Sequence, residues 1–259
     1  MLFVSQMLHI ALAYTHTSAE MEKNMNKTNN KIKELIFWIF AILPFIITGA
    51  FMTFLPDRIP THYDINGNID NYGSKHTYWI IAGLMFVAIV ILRLFMLYSD
   101  KKSYSSEKEQ AHSLSNSNVL YYVGIGIGIF ESIIIFFTLY SAYIESTSGS
   151  TKAQIDIYKI LTFAFGFIFI LFGNLLPKTR KNRYLGIRTV WSMNNEKTWA
   201  ATHKFGGVLM IISGFAMIIL GIFTKGTTAL IGILVTIFAM TGIVTYYSYI
   251  AYKKYGDKK

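Results

Sequence analysis

Six runs of about twenty apolar residues, at 35–55, 78–98, 119–144, 158–176, 206–223 and 227–249, decide most of what this chain can become. A helix needs about twenty such residues to cross a hydrocarbon core roughly 30 Å thick, and inside lipid every backbone N–H and C=O must be satisfied within the protein. None of the runs shows the apolar–polar alternation that a barrel strand carries. The reading is an all-α, polytopic membrane protein with six transmembrane helices. Composition agrees, since only 15% of residues are charged, against about 25% in an average soluble domain. The chain has no cysteine, which excludes disulfides, iron–sulfur clusters, thiolate zinc sites and cysteine nucleophiles together.

The net charge of +10 could signal nucleic acid, and its distribution says otherwise. Eighteen of the 24 Lys and Arg residues fall before the first span, in the second and fourth loops, and in the tail. The opposite loops hold only Arg58, Lys75, Lys152 and Lys225. Such asymmetry is the positive-inside pattern and places both termini in the cytoplasm. The partner it implies is the lipid bilayer, with no direct nucleic-acid contact.

This organisation divides the chain into a polar leader (1–34), a two-helix unit with a structured outer loop (35–98), a third span with flanking loops (99–156), a three-helix unit (157–252) and a basic tail (253–259). The polar, basic stretch from Met25 reads as a natural start. Residues 1–24 are therefore expected to be an upstream-translated or disordered leader, with an interfacial anchor as the alternative.

Two loops are long enough to carry function. The outer one holds Pro56, Asp57, Pro60, His62, Gly67, Asp70, Gly73 and Lys75. A calcium reading of Asp64 to Asp70 fails, because an EF-hand needs glycine at its sixth position and a bidentate Glu at its twelfth. Counted from Asp64, glycine falls at the fourth position and the twelfth is Lys75. His62 and His76 lack the further ligands of a zinc site. Asn66-Gly67 predicts instead a hairpin turn without metal or cofactor. The inner loop carries Asn174, Pro177, Asn182, Gly186, Arg188, Thr189 and Trp191, then a helix start with Ser192 or Asn194 as N-cap. On that helix Glu196, Trp199 and His203 share a face at i, i+3 and i+7. Glu196 and His203 are expected to meet the Arg188 guanidinium. Both loops follow a Leu-Pro pair, Leu55-Pro56 and Leu176-Pro177, with a tyrosine seven residues after each proline. This is a faint internal echo.

Within the spans, Glu131 and Arg93 are ionisable, and such groups in a bilayer are site candidates by default. A Glu131–Arg93 pair is the structural alternative. Gly124/Gly128, Gly166/Gly173 and Gly207/Gly214/Gly221 have the spacing of close helix packing. No H-E-x-x-H, G-x-S-x-G or P-loop is present, so no enzyme activity is expected.

The outer segment, Pro56-Asp57-Arg58-Ile59-Pro60-Thr61-His62-Tyr63 followed by Gly67, Asp70 and Tyr72-Gly73-Ser74-Lys75, resembles an extracytoplasmic-loop domain of unknown function found in bacterial membrane proteins. The inner segment, from Asn174 and Pro177-Lys178 through Asn182, Gly186-Ile187-Arg188-Thr189, Trp191, Trp199 and Thr202-His203, is similar to the SdpI family signature. Val190, Ser192 and Lys204 stand where that signature has Pro, Thr and Arg. The resemblance implies a multi-pass protein of the bacterial plasma membrane that confers immunity to a secreted cannibalism-type peptide toxin outside. It also implies signalling, by holding a repressor protein at the membrane inside. A small transporter or exporter with Glu131 as its site is the competing reading.

Overall fold

The computed structural model describes residues 29–100 and 106–257. The expectation for residues 1–24 lies outside them. The chain divides into two compact units, Met1–Ile39 and Phe40–Lys259. In the first, the described residues open helix α1 (Asn29–Met52), and the Trp38 indole donates to Glu34 Oε1 at 2.9 Å, one turn back.

The second unit holds the rest of α1, a β-hairpin and five further helices: α2 (Thr77–Asp100), α3 (Glu107–Ser148), α4 (Ile157–Leu175), α5 (Glu196–Phe223) and α6 (Gly226–Tyr255). All six helices are long and apolar enough to cross a membrane. The hairpin pairs β1 (Arg58–Tyr63) antiparallel to β2 (Ile69–Ser74), with Arg58 opposite Ser74 and Tyr63 opposite Ile69. It caps one end of the bundle, here the hairpin end. The loop between α4 and α5 covers the other, the basic end.

Three helices run well beyond their apolar runs, by about two turns or more. Helix α3 has 42 residues, about 63 Å of helix, twice the hydrocarbon thickness. Its polar first turns contain no Gly or Pro, and the Ser106 side chain caps them by accepting from the Glu109 N–H. Helix α5 starts ten residues before its apolar run because Asn195 builds a capping box with Thr198. That corrects the expected cap. Ser192 and Asn194 are instead bound into the preceding loop and the tail. Helix α6 continues to Tyr255.

Helices α4 and α5 make the closest helix contact, and glycine permits it. A Cβ built on Gly173 would stand 2.6 Å from the Gly207 carbonyl oxygen, and one on Gly207 would stand 2.6 Å from that of Gly173. Gly166 and Gly214 repeat the arrangement two turns away, at 2.8 and 2.5 Å. A Cβ on Gly128 would stand 2.9 Å from the Phe40 carbonyl oxygen of α1. A hydrophobic layer of Leu55, Ile59, Tyr78, Ile135, Leu139 and Ala142 then seats the hairpin on α2 and α3.

The Leu-Pro echo is not structural. Leu55-Pro56 leads into a β-strand, whereas Leu176–Lys178 is one turn of 3-10 helix opening an irregular loop.

Candidate functional site

At the hairpin end the turn chemistry works as the sequence predicts, with one refinement. Asn66 keeps a negative φ, and only Gly67 is left-handed (φ 79). The turn is therefore a wider Asp64–Asn68 loop, not a two-residue one. Asp64 Oδ1 accepts from the Asn66 and Asn68 backbone N–H groups, both at 2.8 Å, and Oδ2 accepts from the Asn68 side chain. Those hydrogen bonds, led by Asn68, hold its carboxyl below the usual range. The loop between α3 and α4 adds a third backbone segment. The Ile69 N–H donates to Thr151 O and the Ala153 N–H to Gly67 O.

Two charged groups lock this cap. Lys75 Nζ donates to the carbonyls of Met52, the last residue of α1, and Leu55 just beyond it, and lies 3.2 Å from Asp57. Glu145, on the last turn of α3, is 1% exposed. It accepts from the Tyr63 hydroxyl (2.7 Å), the Ser141 hydroxyl (2.5 Å) and the Gln154 N–H (2.9 Å). A buried carboxylate is tolerable only when so satisfied. Burial, then the bond to Glu145, pushes the Tyr63 phenol up. His62 and Asp70 pair in the open at 2.6 Å. Glu145→Ala should lower stability by about 3 kcal/mol, since several buried donors lose their acceptor, and Tyr63→Phe by about 1.5 kcal/mol. Thermal unfolding in detergent measures both. Equal midpoints for wild type and Glu145→Ala would refute the lock.

At the basic end the loop folds around α5. The Trp199 and His203 rings stack at 3.9 Å, both buried. The Trp199 indole donates to Thr179 O (3.1 Å). His203 Nε2 accepts from the Ile187 N–H (3.0 Å), and Nδ1 pairs with Trp199 O (2.9 Å). Those partners require the neutral tautomer with the proton on Nδ1. Gly186 (φ 107) lies against the two rings, where a Cβ would strike His203. Asn182 Oδ1 closes the preceding turn by accepting from the Tyr184 and Leu185 N–H groups, both at 2.7 Å. Ser192 bonds Ile187 O, and Thr189 reaches Ser248 on α6 at 2.8 Å. The long polar start of α3 supports the loop through Asn116, which bonds the Arg180 backbone at both N–H and C=O. Trp191 packs on Tyr249, Pro177 packs over Gly207, and Asn174 is exposed on the last turn of α4.

The expected Arg188–His203–Glu196 grouping does not form. Both His203 nitrogens are already used, one by the loop's Ile187 N–H and the other by Trp199 O within α5, and Glu196 lies exposed at the start of α5. Arg188 is exposed and makes no hydrogen bond or ion pair among the described residues. The Glu131–Arg93 pair is also absent. Arg93 stands over the Tyr121 ring at 5.3 Å, and Tyr121 lies ten residues, about 15 Å of helix, from Glu131. Glu131 Oε2 is enclosed with no hydrogen-bond partner among the described residues.

Residues 178–248 match the SdpI/YfhL protein family. Residues 39–86, which include the whole hairpin, match a domain of unknown function (DUF1648). The chain is 23% identical to Immunity protein SdpI of Bacillus subtilis (strain 168) over 222 residues, 86% of this chain and 97% of the relative. No solved structure matches. With its six spanning helices, it is a multi-pass cell-membrane protein.

The matched segment begins at residue 178, one residue after Pro177, which packs over Gly207 of α5, and ends at Ser248, which Thr189 reaches on α6. Glu145 and Gln154 lie in neither matched segment. Sequence reading missed Glu145 because it opens a polar Glu-Ser-Thr-Ser stretch after an apolar run, which resembles loop. Its one signal was a carboxylate within a turn of the membrane segment.

Proposed function

We propose that this chain is an immunity protein against a secreted peptide toxin, with the hairpin end outside and the basic end in the cytoplasm. Similarity to Immunity protein SdpI along nearly that protein's whole length supports the activity. The lopsided Lys and Arg distribution supports the orientation. The observation that carries the functional reading is Arg188: an exposed, unengaged guanidinium on a loop held rigid by His203, Ser192 and Asn182. A planar five-donor fork so presented suits bidentate recognition of a carboxylate on a protein partner. In this reading the hairpin end meets the toxin, and the basic end holds a repressor at the membrane.

The test is survival of a toxin-sensitive host expressing the chain, challenged with the sporulation-delay toxin. Wild type should protect. Arg188→Ala and Arg188→Lys should both lose repressor retention by at least tenfold while abundance stays normal, because lysine keeps the charge and loses the fork. Full retention in both returns the loop to plain membrane anchoring. The transporter reading draws on the enclosed Glu131 carboxylate. Glu131→Gln in the same host separates them: protection retained assigns Glu131 to packing.

A further inference from the structure

Helices α5 and α6 leave an open cleft of about 600 Å³ at the basic end. Its α5 wall is a stripe at i, i+4, i+7 and i+8: Lys197, Ala201, Lys204 and Phe205. Its α6 wall is Tyr247 and Tyr255. The alanine leaves the middle of the cleft open. Phe205 and Tyr247 stack at 3.8 Å and form a rigid apolar floor. Lys197 and Lys204 are both exposed, and neither ammonium makes a hydrogen bond or ion pair among the described residues. They are two helical turns apart on one face, about 10 Å along the axis.

From this geometry we infer that the cleft is a binding site for one anionic phospholipid. Two unpaired ammonium groups fit a phosphodiester and its glycerol headgroup, and the aromatic floor below them fits the first acyl segments. Charge complementarity selects an anionic over a zwitterionic headgroup. The bound lipid bridges α5 and α6 beside Asn195, whose side chain already ties the start of α5 to Tyr255 O.

Native mass spectrometry of the full-length protein in detergent, with dioleoylphosphatidylglycerol or dioleoylphosphatidylcholine added, tests the assignment. One phosphatidylglycerol should bind in preference to phosphatidylcholine. Lys197→Gln with Lys204→Gln should weaken it about thirtyfold, the worth of two lysines near an anionic headgroup. Lys197→Arg with Lys204→Arg should keep it. Ala201→Trp, which fills the cleft and leaves both charges, should weaken it at least tenfold. Lys178→Gln with Arg183→Gln removes the same charge from the neighbouring loop and should change binding less than threefold. Helical circular dichroism confirms that each variant folds. Equal binding of the two lipids by wild type, equal loss in the loop pair, or no effect of Ala201→Trp would each overturn the site.

Discussion

Gly173→Leu should unfold the packing of α4 against α5 more severely than any substitution of an exposed span residue. The two backbones approach so closely that even a Cβ at residue 173 meets the Gly207 carbonyl, and backbone cannot swing aside as a side chain does. Overpacking costs typically 1–3 kcal/mol where side chains can give, so Gly173→Ala should cost about that and Gly173→Leu more. Gly207→Leu should behave alike, because the contact is reciprocal and Pro177 also closes over Gly207. Gly242→Leu is the control. Nothing lies within 4 Å of its Cβ position, so the change should not destabilise and should add no more than about 1 kcal/mol, the helix-propensity gain of replacing an interior glycine. A thermal unfolding series in detergent reads all four. If Gly173→Leu and Gly242→Leu melt together, the reciprocal glycine contact is not what holds these helices.

Gly186→Ala should loosen the basic-end loop through two additive causes. The left-handed backbone at φ 107 costs a non-glycine residue about 1–3 kcal/mol, and the new methyl must displace the His203 ring. His203→Ala should cost a further, separate amount, about 1–3 kcal/mol, because it orphans the buried Ile187 N–H. The double variant is the decisive measurement. Removing the imidazole makes room for the methyl, so the pair should destabilise by less than the sum of the singles. Strict additivity would mean that the glycine and the histidine do not touch. Both single changes should also lose repressor retention in the host assay, since each frees the segment that presents Arg188.

Hydropathy alone settled the six spans, because lipid tests each segment separately: a run of about twenty apolar residues satisfies its own backbone wherever its neighbours lie. The hairpin was also local, written in Asn66-Gly67 and its flanking residues, and so was the small-residue spacing that marked α4 and α5 for close packing. Helix ends were less legible. Asn195, not Ser192 or Asn194, caps α5, and several cap-competent residues in a row leave the choice to the loop that uses the others. The polar contacts belonged to the tertiary structure entirely. Tyr63 and Glu145 are 82 residues apart, and Thr189 and Ser248 are 59 apart. His203 was expected to face Arg188 and instead closes on the Ile187 backbone, one residue away from that expectation. Helical spacing places a residue on a face. Which donor fills a buried acceptor there depends on how distant segments fold over it, and no period in the chain encodes that.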